Sequence, residues 1–286
     1  MIYVGTCGFS YRDWIGPFYP ERMRPSEMLP FYARRFSAVE VDSSYYGVPE
    51  QRSVASMSAR TPPEFLFSFK APATVTHPPD ARVRVHEDAR RLVEALAPMR
   101  ESAKLACVLA QFPNGFGAST DNEEYVRRVA EAFEDVPLVV EFRRREWHAP
   151  RTLSMLRELG AGYCNVDMPA YETLLAPSSE ATGPIGYVRF HGRNARMWWK
   201  GTNVTRYDYA YTNEELAPWC DRIADVEART QRTFAFFNNH ARGQSARNAA
   251  TLVGLLQSRY ADAAETTLAH PAPKHPAQQG LPGLRG

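Results

Sequence analysis

Polar and ionisable residues recur along this chain at the ends of apolar runs, and most of them come in pairs two positions apart. The pairs are Glu40 and Asp42 in AVEVDSSYYG, Ser68 and Lys70 in FLFSFKAP, Glu141 and Arg143 in PLVVEFRRREW, Asn165 and Asp167 in AGYCNVD, and Arg189 and His191 in GYVRFHGR. LACVLAQFP contributes Gln111, and RTFAFFNNH contributes Asn238 and Asn239. A spacing of two places both members of a pair on one face of a strand. Glu40, Glu141 and Asp167 have the chemistry of general acids or bases, and His191, with an unperturbed pKa of about 6.5, that of a proton shuttle. Lys70, Arg143 and Arg189, with Arg193 just beyond, would together bind phosphate or carboxylate. Gln111, Asn238 and Asn239 offer amide groups for an oxyanion or a substrate hydroxyl.

Other chemistries use the same residues. The carboxylates would supply oxygen ligands to Mg²⁺ or Mn²⁺, with His191 as a nitrogen donor. No H-x-H or H-E-x-x-H spacing points to zinc, and no organic cofactor has a signature here. Lys70 at a strand end also fits a Schiff-base lysine. Paired acids would suit glycoside cleavage, but the cationic neighbours do not suit a neutral sugar. A purely structural reading pairs Glu141 with Arg143 or Arg189, pairs Glu40 with Lys70, and bonds His191 to a carboxylate. The loop GRNARMWWKGTNVTRYDYAY interleaves Arg193, Arg196, Lys200 and Arg206 with Trp198, Trp199, Tyr207, Tyr209 and Tyr211. That pattern serves stacking on single-stranded nucleic acid, or a lid whose aromatics pack on a rim. YRDWIGPFYP, with Trp14, reads as an aromatic wall of the mouth that either stacks a planar substrate or simply covers the rim, and Tyr45 is a further candidate for substrate binding.

These residues need a frame that brings strand ends together. Eight strand-like runs follow one another over about 260 residues, seven of them alternating with segments of helical periodicity. The helical segments include VHEDARRLVEALAPM and DNEEYVRRVAEAFEDV, the latter with Asp121 as the expected N-cap. No helix is expected after the sixth strand, where MPAYETLLAPSSEATGP reads as a loop. Count, order and length predict one α/β domain over residues 1–260, a (β/α)₈ TIM-like barrel. GTCGFS is not the glycine fingerprint of a dinucleotide-binding sheet. In a barrel all the C-terminal strand ends meet at one mouth, so the polar residues converge there. Residues 261–286, rich in Pro, Ala and Gly, read as a disordered tail.

Composition is that of a globular protein, with 44% hydrophobic and 23% charged residues and a net charge of only +2, so affinity for nucleic acid or an anionic surface would need a local patch. No apolar run is long enough to span a membrane, and the N-terminus lacks the layout of a signal peptide. Four scattered cysteines without a C-x-x-C pair predict buried thiols and a cytoplasmic location.

GTCGFSYRDWIGPFYP, FSAVEVDSSYYGVP, FLFSFKAPATVTH, LACVLAQFP, VVEFRRREW, YVRFHGR, YDYAYTNEEL and FFNNHARGQSARNA occur in this order. Together they resemble the DUF72 (YecE-like) family from Met1 to about Leu256. The resemblance implies a TIM-barrel-like fold and no particular activity. Cys7 stands where that family's opening is closer to G-T-S-G, and Asp42 where members commonly carry Asn, so Glu40 weighs more than Asp42. Three functions are thus expected to compete. One is an enzyme, a hydrolase or lyase, acting by acid–base chemistry on a small anionic substrate. The second is a metal-assisted nuclease or phosphodiesterase using the basic-aromatic loop. The third is a non-catalytic anion binder.

Overall fold

The computed structural model describes residues 1–77 and 81–260. Eight strands form one parallel sheet: β1 (Ile2–Thr6), β2 (Ala38–Val41), β3 (Leu66–Lys70), β4 (Leu105–Gln111), β5 (Leu138–Glu141), β6 (Gly162–Asp167), β7 (Ile185–Phe190) and β8 (Arg232–Phe237). Their order is β1-β8-β7-β6-β5-β4-β3-β2. Each is short and most are rich in apolar residues, as strands buried on both faces are. Every residue of β2, β5, β6 and β7 is buried.

The ring closes between β1 and β2. Cys7 pairs in parallel with Glu40, and the Gly8 amide donates to the Glu40 carbonyl at 2.7 Å. A Cβ at Gly5 would collide with the Ala38 carbonyl, so only glycine allows this approach. The Tyr32 hydroxyl fills the rest of the seam, accepting from the Thr6 amide at 2.8 Å and donating to the Ala38 carbonyl at 3.1 Å. The fold is a TIM-like α/β barrel, as the strand count predicts.

Helices cover the outside after every strand but one. Between β6 and β7, residues 168–184 contain no helix, as expected, and Leu174 instead bridges back to Arg144 at the rim. The helix Thr120–Ala132 is capped by Ser119 rather than Asp121. Ser119 has extended backbone and its side chain accepts from the Asn122 amide, while Asp121 lies inside the first turn. Cys7, Cys107, Cys164 and Cys220 are all buried free thiols. The expected tail, 261–286, lies outside the described residues. Among those described, no helix is long and apolar enough to cross a membrane.

Candidate active site

Strand ends converge as the barrel requires, and a buried ionic network occupies the floor of the mouth. Arg189 on β7 lies at its centre, 1% exposed. One terminal nitrogen donates to Glu141 Oε2 at 2.7 Å and the other to Glu40 Oε1 at 2.6 Å, so one guanidinium links β2 to β5. Its contact with the Cys7 sulfur is 3.4 Å, and Asp42 Oδ1 lies 3.6 Å away. Glu40 also accepts from the Tyr187 hydroxyl at 2.6 Å, and Tyr187 in turn meets Ser68 Oγ at 2.8 Å. Glu141 takes two further partners on Oε1, Arg143 Nε at 2.9 Å and His191 Nε2 at 3.1 Å.

The two glutamates share Arg189 but differ in charge state. Burial drives Glu40 up to about 7, helped by the neighbouring Asp42 charge and only partly opposed by Arg189. Burial pushes Glu141 upward too, but Arg189, Arg143 and His191 outweigh it and hold its carboxyl well below the usual range. His191 is lowered to about 3, by burial first and by Arg143 second, so it is neutral. Its Nδ1 faces the Asn238 amide nitrogen at 3.1 Å, which leaves the Nε2 proton to donate to Glu141. The imidazole therefore orients Glu141 from a fixed tautomer.

Above this floor opens a cavity of about 910 Å³. Asp42, Lys70, Gln111, Arg143, Arg189, Asn238 and Tyr45 line it. The Lys70 ammonium sits 4.3 Å from the Tyr45 ring centroid, and Tyr45 reaches His77 Nε2 at 3.1 Å. Trp198 from the loop after β7 is buried against the rim, 6.4 Å from His191 and 6.0 Å from Arg143. Tyr207 packs on the same ring at 6.1 Å. The loop thus behaves as a lid at these positions, with Trp199 left 51% exposed.

Three expected site residues lie elsewhere. Asp167 is buried on the outer face of β6 and accepts from Arg193 Nε (2.9 Å), Tyr211 (2.7 Å) and Trp219 Nε1 (2.8 Å). Its neighbour Cys164 takes the inner position, with its sulfur 3.8 Å from Glu141. A spacing of two makes Asn165 and Asp167 share a face, but only closure of the ring selects which face is inside. Asn239 likewise points outward, donating to the Tyr209 carbonyl at 2.8 Å and to Asn248 at 2.9 Å. Trp14 is fully buried beneath the rim, its Nε1 donating to the His240 carbonyl at 2.7 Å. Asp167→Ala is expected to lower stability in urea unfolding by about 3 kcal/mol, because Arg193 and Trp219 lose their acceptor. Ligand binding by the folded fraction should not change.

The mouth also holds Cys7 and Tyr187, which the sequence reading did not mark as site residues, while Tyr11 of the expected aromatic wall and Arg206 of the basic-aromatic loop line the cavity. Tyr187 shares the parity of Arg189 and His191, a signal that would have placed it. Cys7, Glu40 and Asp42 bring three donor atoms within 4.8 Å of one another. Arg189 contacts or approaches all three and supplies the positive charge there. A thiol among the donors, pushed well upward by burial, also fits Mg²⁺ and Mn²⁺ poorly.

Comparison with known proteins agrees with the fold and the motif order. A Bacillus subtilis (strain 168) protein, UPF0759 protein YunF, is 32% identical over 288 residues, covering 94% of this chain and 99% of the relative. UPF0759 protein YecE of Escherichia coli (strain K12) matches over 77 residues at 34% identity, 27% of this chain and 26% of its own. A crystal structure of a DUF72 family protein from Thermotoga maritima superposes with a TM-score of 0.82 at 37% identity, covering 90% of this chain and 99% of that one. A DUF72 family protein of Enterococcus faecalis gives 0.79 at 27% identity, covering 90% and 96%. The family model described as "Protein of unknown function DUF72" matches residues 3–276, and the chain belongs to that family.

Proposed function

We propose that this protein is an enzyme that acts by acid–base chemistry on a small anionic substrate in the mouth of the barrel. One observation carries this reading: the cavity is lined by the cations Lys70 and Arg143 together with Asp42, over the buried Glu40. Its volume falls within the range of about 300–1,000 Å³ common for small-molecule sites. Glu40 and Asp42 form a carboxyl pair in which the buried member keeps its proton near neutrality, the arrangement of a general acid beside a base. Glu141 is held ionised by three partners and serves to fix Arg189, Arg143 and His191.

The nuclease reading has less support, because Trp198 and Tyr211 are buried and Tyr207 packs against Trp198 instead of forming an open stacking surface. The test is a turnover screen of phosphate monoesters, carboxylates and single-stranded DNA with the wild type, Glu40→Gln and Trp199→Ala. Turnover of a small anion that Glu40→Gln abolishes is the expected result. Cleavage of DNA that depends on Trp199 would replace this reading with the nuclease. If Glu40→Gln leaves every detected activity unchanged, the protein is better described as an anion binder.

A further inference from the structure

We propose that the substrate is a phosphate monoester of a planar-ring compound, its phosphate held by Arg143 and Lys70 and its ring lying toward Tyr11 on the opposite wall. The proposal rests on the small-anion reading above and narrows it to one substrate class.

Strand order fixes the two walls. In the ring of eight, β1 and β5 are four strands apart and so lie opposite one another, as do β8 and β4. Arg143 follows β5 and Gln111 ends β4, whereas Tyr11 follows β1 and His240 follows β8, and all four line the cavity. An amide and cationic wall therefore faces an aromatic one.

The Arg143 side chain is 9% exposed, and its Nε forms an ion pair with Glu141 Oε1 at 2.9 Å. No protein acceptor among the described residues takes its two terminal nitrogens. The result is a guanidinium anchored from behind with a two-pronged donor edge free, the geometry that grips two oxygens of one anion. Lys70 and Arg206 also line the cavity and have no carboxylate partner among the described residues. Four cations (Lys70, Arg143, Arg189 and Arg206) thus share the mouth with three carboxylates (Glu40, Asp42 and Glu141), in a chain whose total net charge is only +2. The cations are in excess even with every carboxylate ionised, and the excess grows when Glu40 holds a proton. A phosphate dianion compensates such a surplus better than a single carboxylate does.

The aromatic wall is already assembled. Tyr11 stacks on His240 with centroids 4.7 Å apart and planes 5° from parallel, and meets Trp14 at 5.0 Å and 34°. The Tyr11 hydroxyl is tied to the Cys7 carbonyl at 2.8 Å, and the His240 carbonyl holds Trp14. An aromatic wall held in place by these contacts costs little ordering when a planar ligand packs against the part of it that Tyr11 and His240 present to the cavity.

Calorimetric titration of the full chain with inorganic phosphate, phenyl phosphate, cyclohexyl phosphate and benzoate tests both halves. Phenyl phosphate should bind most tightly, about threefold to tenfold better than cyclohexyl phosphate and at least tenfold better than benzoate. Arg143→Lys should weaken every phosphate by about tenfold or more, through loss of the two-pronged contact. Lys70→Met, which touches none of the Glu141 partners, should weaken them as well and guards against a folding defect in the first variant. Tyr11→Leu should erase the preference for phenyl over cyclohexyl while leaving inorganic phosphate unaffected.

Equal binding of benzoate and phenyl phosphate would overturn the phosphate assignment. Equal binding of the two esters by the wild type would overturn the ring assignment, and no binding of inorganic phosphate at millimolar concentration would overturn the whole proposal. Glu40→Gln should still bind phenyl phosphate. If it binds but the wild type turns over no phosphate ester, the acid–base reading fails and this assignment stands. Glu40-dependent turnover of a substrate without phosphate would have the opposite meaning.

Discussion

Arg189→Met is expected to destabilise the barrel by about 3–5 kcal/mol, read as a lowered midpoint in urea unfolding at pH 7. Arg189 is 1% exposed and both of its glutamate partners are fully buried. Methionine roughly replaces the volume of the side chain but leaves buried Glu40 without a cation and Glu141 with Arg143 alone. The cost of breaking a buried pair lies chiefly in the charge left behind. Combining Arg189→Met with Glu40→Gln and Glu141→Gln should therefore recover part of the loss. A single-variant loss below about 1 kcal/mol would mean that solvent reaches these carboxylates and that the network is not a sealed floor.

Glu40→Gln should reduce turnover of the substrate found by the screen by about 10²–10⁴-fold, the usual contribution of a positioned acid or base. The wild-type rate should fall as pH rises through about 7, where Glu40 loses its proton. Asp42→Asn should move that limb to lower pH, because the Asp42 charge is one of the causes that raise Glu40. Stability carries the same signature. The folded value of about 7 lies above the ordinary glutamate value, so the native state binds a proton that the unfolded chain has released. This contribution is complete below the ordinary value and is lost as pH rises through about 7. A pH–rate profile without a limb near neutrality would remove Glu40 from the acid role.

The strand ends show how far local sequence reaches. Val39 and Val41, alternating with Glu40 and Asp42, and the apolar runs around Leu109 and Val140 mark strands, and a helical period after nearly every one marks a barrel. The gap after β6 was equally legible, because MPAYETLLAPSSEATGP has no apolar period to lose. From that frame alone Glu40, Lys70, Gln111, Glu141, Arg143, Arg189, His191 and Asn238 were placed in one mouth, and the geometry brings them together. All of this is determined by periodicity, which is a property of neighbouring residues.

Other features were decided by contacts distant in sequence. Asp167 obeys the same spacing as the mouth residues yet faces the helices, because the inner face of a strand is defined only when the ring closes, and Asn239, next to Asn238, takes the face opposite to it. Trp14 reads as a wall residue, but its indole is drawn under the rim by the carbonyl of His240, 226 residues away. His191 has the side chain of a proton shuttle, yet burial and Arg143 hold it neutral beside Glu141. The sequence by itself determined the barrel, the end at which chemistry gathers and most of the residues there. Only the tertiary structure decided which carboxyl keeps a proton and which cations remain free, because desolvation and pairing depend on what the other strands bring into contact.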